Sequence, residues 1–385
     1  MNSLDPIPLF EIAWDETDVE YATDSITRGS YWANGPYVTT FEEKLADYVG
    51  VEHAAVVNSG TTALVAALRA HGIGPGDEVI VPAFTFIATA NAVNLAGAQP
   101  IFADIEQETY GLDPESTRDA INERTAAVIP VHPYGSACQI DDLATVAEEN
   151  NLVVLEDAAE ALGADFNGRS VGTFGDSAAL SFCQNKIITT GEGGAVLTDD
   201  DELAENVRQY RSHGRPSSDY FESTGSGEYP AIGTNIRMPD VVAAIGCAQL
   251  EKIEDLIDGR RRAAERMSSA FDELPDVEPH RGVERGRHVY QLYTVTLGET
   301  IDRAQMIETL KNRAIASKIY WDPPLHLTEH YQKTYGYESD QFPVAESIAS
   351  RVLSLPIHPS ISNEETDRII DTVRDAVKQE SATNK

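Results

Sequence analysis

The sequence predicts an α/β protein in two parts: a large domain whose mostly parallel sheet is flanked by helices, and a smaller C-terminal α+β domain. Three observations carry this. Short apolar runs alternate with helix-periodic stretches from residue 54 to 198, as in chains that build a sheet wrapped by helices. Past residue 250 the pattern changes to long helices around a few strands. At 385 residues and 42% hydrophobic content the chain can bury two cores. The expected division is 1–250 and 251–385.

Residues before Asp15 read as an arm, followed by a helix to about Arg28 and the loop GSYWANG at 29–35. Tyr31, Trp32 and Asn34 crowd that loop, which either covers core or borders a ligand. Thr40 and Glu43 have capping-box spacing, and Phe41, Leu45 and Tyr48 recur at helical intervals before Gly50. Strand 54–57 leads through Asn58, Ser59, Gly60, Thr61 and Thr62 into a helix with Leu64, Ala67 and Leu68 on one face. Amides at such a start either take a cap or face an anion.

No charged residue occurs from Val79 to Ala103, a length that would span a bilayer. Pro82, Asn91, Asn94, Gly97 and Pro100 divide it into strand, loop, helix and strand, so buried core is expected. Strands at 100–103 and 126–131 follow, separated by a helix from about Pro114. His132 closes the second without a partner at metal or triad spacing, which suits packing or a pocket wall. After a helix at 141–149, strand 152–155 runs into Glu156, Asp157, Ala158, Ala159 and Glu160. Carboxylates there sit where open α/β sheets bind ligands; a capping role is the alternative.

The stretch 177–199 holds apolar runs at 178–182 and 195–198, with Lys186, Gly191, Gly193 and Gly194 between them. A lysine walled by apolar groups loses hydration, which frees the amine as a nucleophile toward aldehydes. A solvated surface charge is the plain alternative. Further on come a helix to about Arg211, a Ser- and Gly-rich loop at 216–227, and a helical pattern from Pro239 to Leu274 interrupted at Gly259. Strands at 288–297 and 316–321, helices from about Asp302, at 343–353 and at 363–378, and a frayed tail at 380–385 complete the chain.

Asp and Glu number 63 against 29 Lys and Arg, a formal charge of −34. Nucleic acid is a poor partner for such a surface. It suits concentrated salt, where screening removes the self-repulsion, so a salt-adapted source is expected; an acidic protein of ordinary cytoplasm is the alternative. Cys138, Cys183 and Cys247 are widely spaced and lack a metal-ligand pattern, which fits reduced, buried thiols in a cytoplasmic protein and no metal. Residues 1–16 carry no secretory pattern.

Ser181-Phe182, Lys186 and Gly191-Glu192-Gly193-Gly194 together resemble the lysine segment of the DegT/DnrJ/StrS sugar aminotransferases, pyridoxal 5'-phosphate enzymes of fold type I. The likeness runs from about Gly29 to Pro359. It includes the family's SGTxAL motif at 59–64, its EDAA motif at 156–159, G-x-N-x-R-M at 233–238 and the substrate-side loop at 323–326.

The resemblance implies transamination of a keto sugar nucleotide by an amino donor such as glutamate, in a homodimer with shared active sites, for glycan or surface polysaccharide biosynthesis. It places the cofactor on Lys186, and its phosphate at Gly60, Thr61, Thr62, Ser181 and Asn235 of the partner subunit. Phe86 covers the ring, Asp157 pairs with the ring nitrogen, and Ala159 leaves room for the ring. Glu160 stands where the family usually has Gln or His near the ring hydroxyl. Tyr31, Asn34, Tyr320 and His326 fall on the substrate side.

The lysine loop at 185–190 looks most like members that aminate a 4-keto-6-deoxy hexose; a 3-keto sugar is the alternative. A dehydratase branch of the family replaces the lysine by histidine, and Lys186 speaks against it. A cofactor-binding regulatory protein without catalysis would keep the fold, but the chain shows no basic patch and retains the whole site. A nicotinamide dehydrogenase fits poorly, because the glycines at 72–76 precede a strand rather than follow one.

Overall fold

The computed structural model describes residues 5–216, 227–274 and 276–383. The expected loop at 216–227 lies almost wholly outside them.

Strands β1 (His53–Val57), β2 (Glu78–Pro82), β3 (Gln99–Ala103), β4 (Thr125–Val128) and β5 (Val153–Asp157) come first. A short hairpin, β6 (Asp165–Phe166) and β7 (Arg169–Ser170), precedes β8 (Ser177–Ser181) and β9 (Gly194–Thr198). The central sheet has the order β1-β9-β8-β5-β4-β2-β3. Pairs from β8 to β3 are parallel, whereas β9 runs against both of its neighbours. Strands β2 and β9 are buried along their whole length, as strands covered on both faces must be. Because β9 is reversed, β1, β2, β5 and β8 all end at one edge and β9 begins there.

The C-terminal part adds β10 (Val277–Pro279), β11 (Gly286–Arg287), β12 (Tyr293–Leu297) and β13 (Val352–Leu355). Strands β10, β12 and β13 form an antiparallel sheet, while β11 pairs with β6 and so stitches the two parts together. Met267 and Phe271 from helix Ile253–Phe271, Ile369 and Val373 from helix Asn363–Thr383, and Ile7 pack on that sheet. The arm is therefore fastened: the Ile7 amide donates to Ala314 at 2.8 Å and the Ala316 amide to Ile7 at 3.0 Å. Burying Ile7 contributes about 1.5–3 kcal/mol. No helix among the described residues is long and apolar enough to cross a membrane.

Several expectations are corrected. Helix Pro36–Val49 starts at an extended Gly35 with proline at its first position, so Thr40 lies inside it and caps nothing. The helical run from Pro239 breaks at Lys252, between Asp240–Glu251 and Ile253–Phe271, and not at Gly259. Gly259 is mid-helix because a Cβ there would come within 2.6 Å of the Pro359 carbonyl. Residues 316–321 form no strand: Lys318 makes a single bridge to Ser354, and the left-handed Trp321 (φ 62°) turns the chain away. The expected strand at 288–297 begins only at Tyr293, after a left-handed Tyr290 (φ 50°). The last helix continues to Thr383, so the tail does not fray at 380. Helix Glu329–Tyr335 falls in a stretch assigned no element from sequence.

A neutral histidine relay clips the parts together. The Tyr290 amide donates to Nδ1 of His288 at 2.9 Å, His288 Nε2 faces Nδ1 of His280 at 3.3 Å, and His280 Nε2 meets the Thr109 carbonyl at 3.1 Å. Burial pushes His280 down to about 4 from an ordinary 6.5, and His288 well below that ordinary value. Above pH 6.5 both are neutral in either state; as pH falls toward 4 the unfolded chain takes protons that the folded one refuses, and stability is lost. At pH 5 His280 alone costs about 2 kcal/mol. Denaturant midpoints at pH 7 and pH 5 should show this loss in the wild type and a smaller one in His280→Gln.

Candidate active site

The shared carboxyl edge of β1, β2, β5 and β8 opens into a cavity of about 470 Å³. Ligands of open α/β sheets bind at this edge. Helix Gly60–Ala70 follows β1 and points its N-terminus at the cavity. Ser59 caps it through Oγ to the Thr62 amide, 3.2 Å, and through its carbonyl to the Ala63 amide, 3.0 Å. Gly60 and Thr61, the first two residues of the helix, line the cavity. Thr62 does not: its amide is spent on the cap, and its hydroxyl donates to Asn58 at 2.7 Å. A Cβ at residue 60 would sit 2.8 Å from Ser181 Cβ, so glycine lets the helix start close on the end of β8.

At the end of β5 the residue Asp157 is buried, 6% exposed. Thr89 donates to its Oδ2 at 2.8 Å and the Ala159 amide to its Oδ1 at 3.2 Å. Burial dominates and pushes this carboxyl above its ordinary value, against the lowering effect of Thr89. Neighbouring Glu156 turns away and accepts the amides of Gly172, Phe174 and Gly175 at 2.7–2.8 Å. His132 belongs to that packing: the Cys138 amide donates to its Nδ1, 3.2 Å, so its proton is on Nε2, 3.0 Å from Glu156.

Lys186 follows β8 in a tight loop. Its amide donates to the Cys183 carbonyl at 2.9 Å, while Ile187 and Ile188 are buried beneath it. Its Nζ lies 3.0 Å from Oε1 of Glu160, with side chains 14% and 12% exposed. Gln291 of the C-terminal part donates to the Asn185 carbonyl at 2.6 Å, which holds the loop from the far side. Phe86, Ala159, Ser181 and Tyr320 also line the cavity. Phe86 is 59% exposed, unusual for its ring and consistent with a wall rather than core.

Besides Thr62, four more expected residues lie off this cavity. His326 is fully buried, its ring 4.8 Å from that of Phe342 and its Nε2 3.1 Å from Glu346, so it packs and does not line this cavity. Tyr31 and Asn34 sit in an exposed loop that Asp240 anchors by accepting from Ser25, Arg28 and the Tyr37 amide at 2.6–2.9 Å. Asn235 is exposed and bridges Ser212.

The sequence reading missed Phe10, Thr89, Lys318 and Trp321, all on the cavity wall. For Thr89 a signal existed: Thr85 and Thr89 are four apart at the start of helix Ala88–Ala96, just past the end of β2. Nothing local marks Phe10, whose arm reaches the site by a long-range path. Cys138 and Cys247 are buried as expected, but Cys183 is a cavity residue.

Known proteins agree with this geometry over nearly the whole chain. "Spore coat polysaccharide biosynthesis protein SpsC" of Bacillus subtilis is 39% identical over 369 residues, covering 94% of each chain. A "GDP-perosamine synthase" of Caulobacter vibrioides is 39% identical over 375 residues, 96% of this chain and 98% of its own. Among solved structures, the PLP form of the "putative sugar aminotransferase Spr1654" from Streptococcus pneumoniae superposes with a TM-score of 0.91 at 28% identity, over 98% of this chain and 100% of its own. The chain belongs to the DegT/DnrJ/EryC1/StrS aminotransferase family, whose sequence model matches residues 13–374, and is with that family a pyridoxal phosphate-dependent sugar aminotransferase.

Proposed function

We propose that the protein transfers the amino group of glutamate to a 4-keto-6-deoxy hexose carried on a nucleotide, working as a cytoplasmic homodimer in glycan or surface polysaccharide biosynthesis. The observation that carries this is one cavity holding a partly buried lysine, a buried carboxylate and a helix N-terminus at the same sheet edge. The lysine loop at 185–190 supports the choice of sugar, and the relatives' names support a nucleotide carrier.

The residues fit pyridoxal phosphate. The helix start at Gly60 and Thr61 and the Ser181 hydroxyl converge as a phosphate cradle. Asp157, whose charge burial disfavours, is the partner that a cationic ring N–H requires. When bound, the cofactor supplies a sink for the electron pair released as a C–H bond beside nitrogen breaks. Lys186 Nζ would hold it and would carry the proton to and from the donor's α carbon. Phe86, on the cavity wall, would cover the cofactor ring, and the small side chain of Ala159 would leave room for it. Tyr320 and Trp321, which line the same cavity, would face the sugar.

Asn235, Tyr31 and Asn34, off their own chain's cavity, serve the site of the partner subunit. Exposed Trp14, Trp32 and Ile232, at 70%, 55% and 85%, supply apolar surface for that association. The test of the substrate is to offer matched 3-keto and 4-keto sugar nucleotides with glutamate and to locate the new amine by NMR. An amine at the fourth carbon is expected. Amination only at the third would discard the ring position and leave the aminotransferase standing.

A further inference from the structure

We propose that Glu160 is a second catalytic residue, which accepts the proton of Lys186 Nζ whenever that amine must act unprotonated and returns it afterwards. The proposal rests on the aminotransferase reading above and assigns a task to the position where this chain carries a carboxylate.

The geometry is built from an unusual turn. Tyr134 has φ 58°, a left-handed conformation that a bulky residue rarely adopts. Its ring is fully buried and stacked on Trp321 at 4.7 Å and 16°, which holds the turn in place. Gly135 continues it at φ 103°, where a Cβ would come 2.7 Å from the Gln291 amide. The result is one N–H, that of Tyr134, directed at Oε2 of Glu160 at 3.1 Å. With one oxygen fixed, the other is left facing Lys186 Nζ at 3.0 Å. Strained backbone at a functional edge is a pointer to function, and here the strained amide has the orientation of this carboxylate as its product.

Other charged or titratable groups lie close by. Asp157, Tyr134 and Tyr320 face the pair, and Cys183, Glu192 and Lys318 line the same cavity. Asp157 is engaged by Thr89 and Ala159, and burial pushes both tyrosine hydroxyls up, so they hold their protons. Glu160 is the carboxylate in contact with Nζ. In the step proposed, one N–H bond of the ammonium breaks and its electron pair stays on nitrogen. The proton forms an O–H bond at Oε1, which leaves a neutral amine and a neutral acid, and the return step is the reverse. A glutamine has a single carbonyl oxygen, so it could accept only one of these two hydrogen bonds, and it could not take the proton.

The experiment uses full-length Glu160→Gln and Glu160→Asp. In cofactor-free protein, the labelling of Lys186 by trinitrobenzenesulfonate is followed against pH by peptide mass spectrometry; in loaded enzyme, the half-reaction with glutamate is timed. Glu160→Gln should label about tenfold faster at neutral pH, because the ammonium has lost its counter-charge. It should nonetheless run the half-reaction on the order of 10²-fold slower. Glu160→Asp keeps a carboxylate and should recover most of that rate, which a purely structural role would not predict. A Glu160→Gln half-reaction within twofold of wild type, or an unchanged labelling profile, overturns the proposal. If Glu160→Gln does not fold, a Glu160→Asp enzyme as slow as Lys186→Ala does the same. Wild-type enzyme that takes no amino group from glutamate would instead sink the parent reading, and the labelling contrast would still report whether the pair exists.

Discussion

Lys186→Ala is expected to lose turnover by on the order of 10⁴-fold or more, since it removes both the covalent anchor and the proton carrier. The fold should survive. The loop is held by its own backbone, with the Lys186 amide on Cys183 and the Thr190 amide on Phe182 at 3.0 Å, and by buried Ile187 and Ile188. Glu160 keeps the Tyr134 amide as a partner, so the substitution strands no bare carboxylate. Borohydride treatment followed by peptide mapping should find cofactor fixed to the Lys186 peptide in wild type and on no peptide in the variant. Unchanged turnover in Lys186→Ala would falsify the assignment.

What could be read from sequence was what local chemistry dictates. The carboxylate pair after strand 152–155, the serine-glycine turn before a helix and the lysine between two apolar runs were each legible as a ligand edge, because each follows an apolar run with a polar group. Sequence alone did not say which carboxylate faces the cavity. Glu156 turns to three loop amides and Asp157 to Thr89, a choice made by strand register and the loop at 172–175. The misses share a cause. Gly259 looked like a helix break because glycine weakens a helix in isolation, yet contact with Pro359, distant in sequence, makes glycine the residue that fits. Residues 316–321 had strand composition but only Ser354 to pair with. Phe10 and Trp321 reach the cavity through the arm and the C-terminal part, and His326, set in a motif suggestive of substrate, is spent on Glu346 and Phe342.

A mixture of Lys186→Ala and Asn235→Ala subunits is expected to regain activity that neither variant has alone. Asn235 is exposed and does not line the cavity of its own chain, although its backbone is fixed on both sides: residue 235 bridges Ser212, and Arg237 bridges Val57 at the end of β1. An exposed residue on a backbone held so firmly beside the end of β1 suits a phosphate bound by a second copy. Its hydrogen bond to an anion would be worth about 1.5–3 kcal/mol, so Asn235→Ala should weaken cofactor retention by roughly 10- to 100-fold. The assay therefore belongs at limiting cofactor, where that loss is felt. In a mixed dimer both lesions fall in one site, and the other combines an intact Lys186 with an intact Asn235. Random pairing of equal amounts makes half the dimers mixed, each with one working site of two, so about a quarter of wild-type activity should return. Recovery near that value requires sites completed across the interface. No recovery, with mixed dimers shown to form by mass spectrometry, would mean that each chain builds its site alone and that Asn235 only closes its own loop.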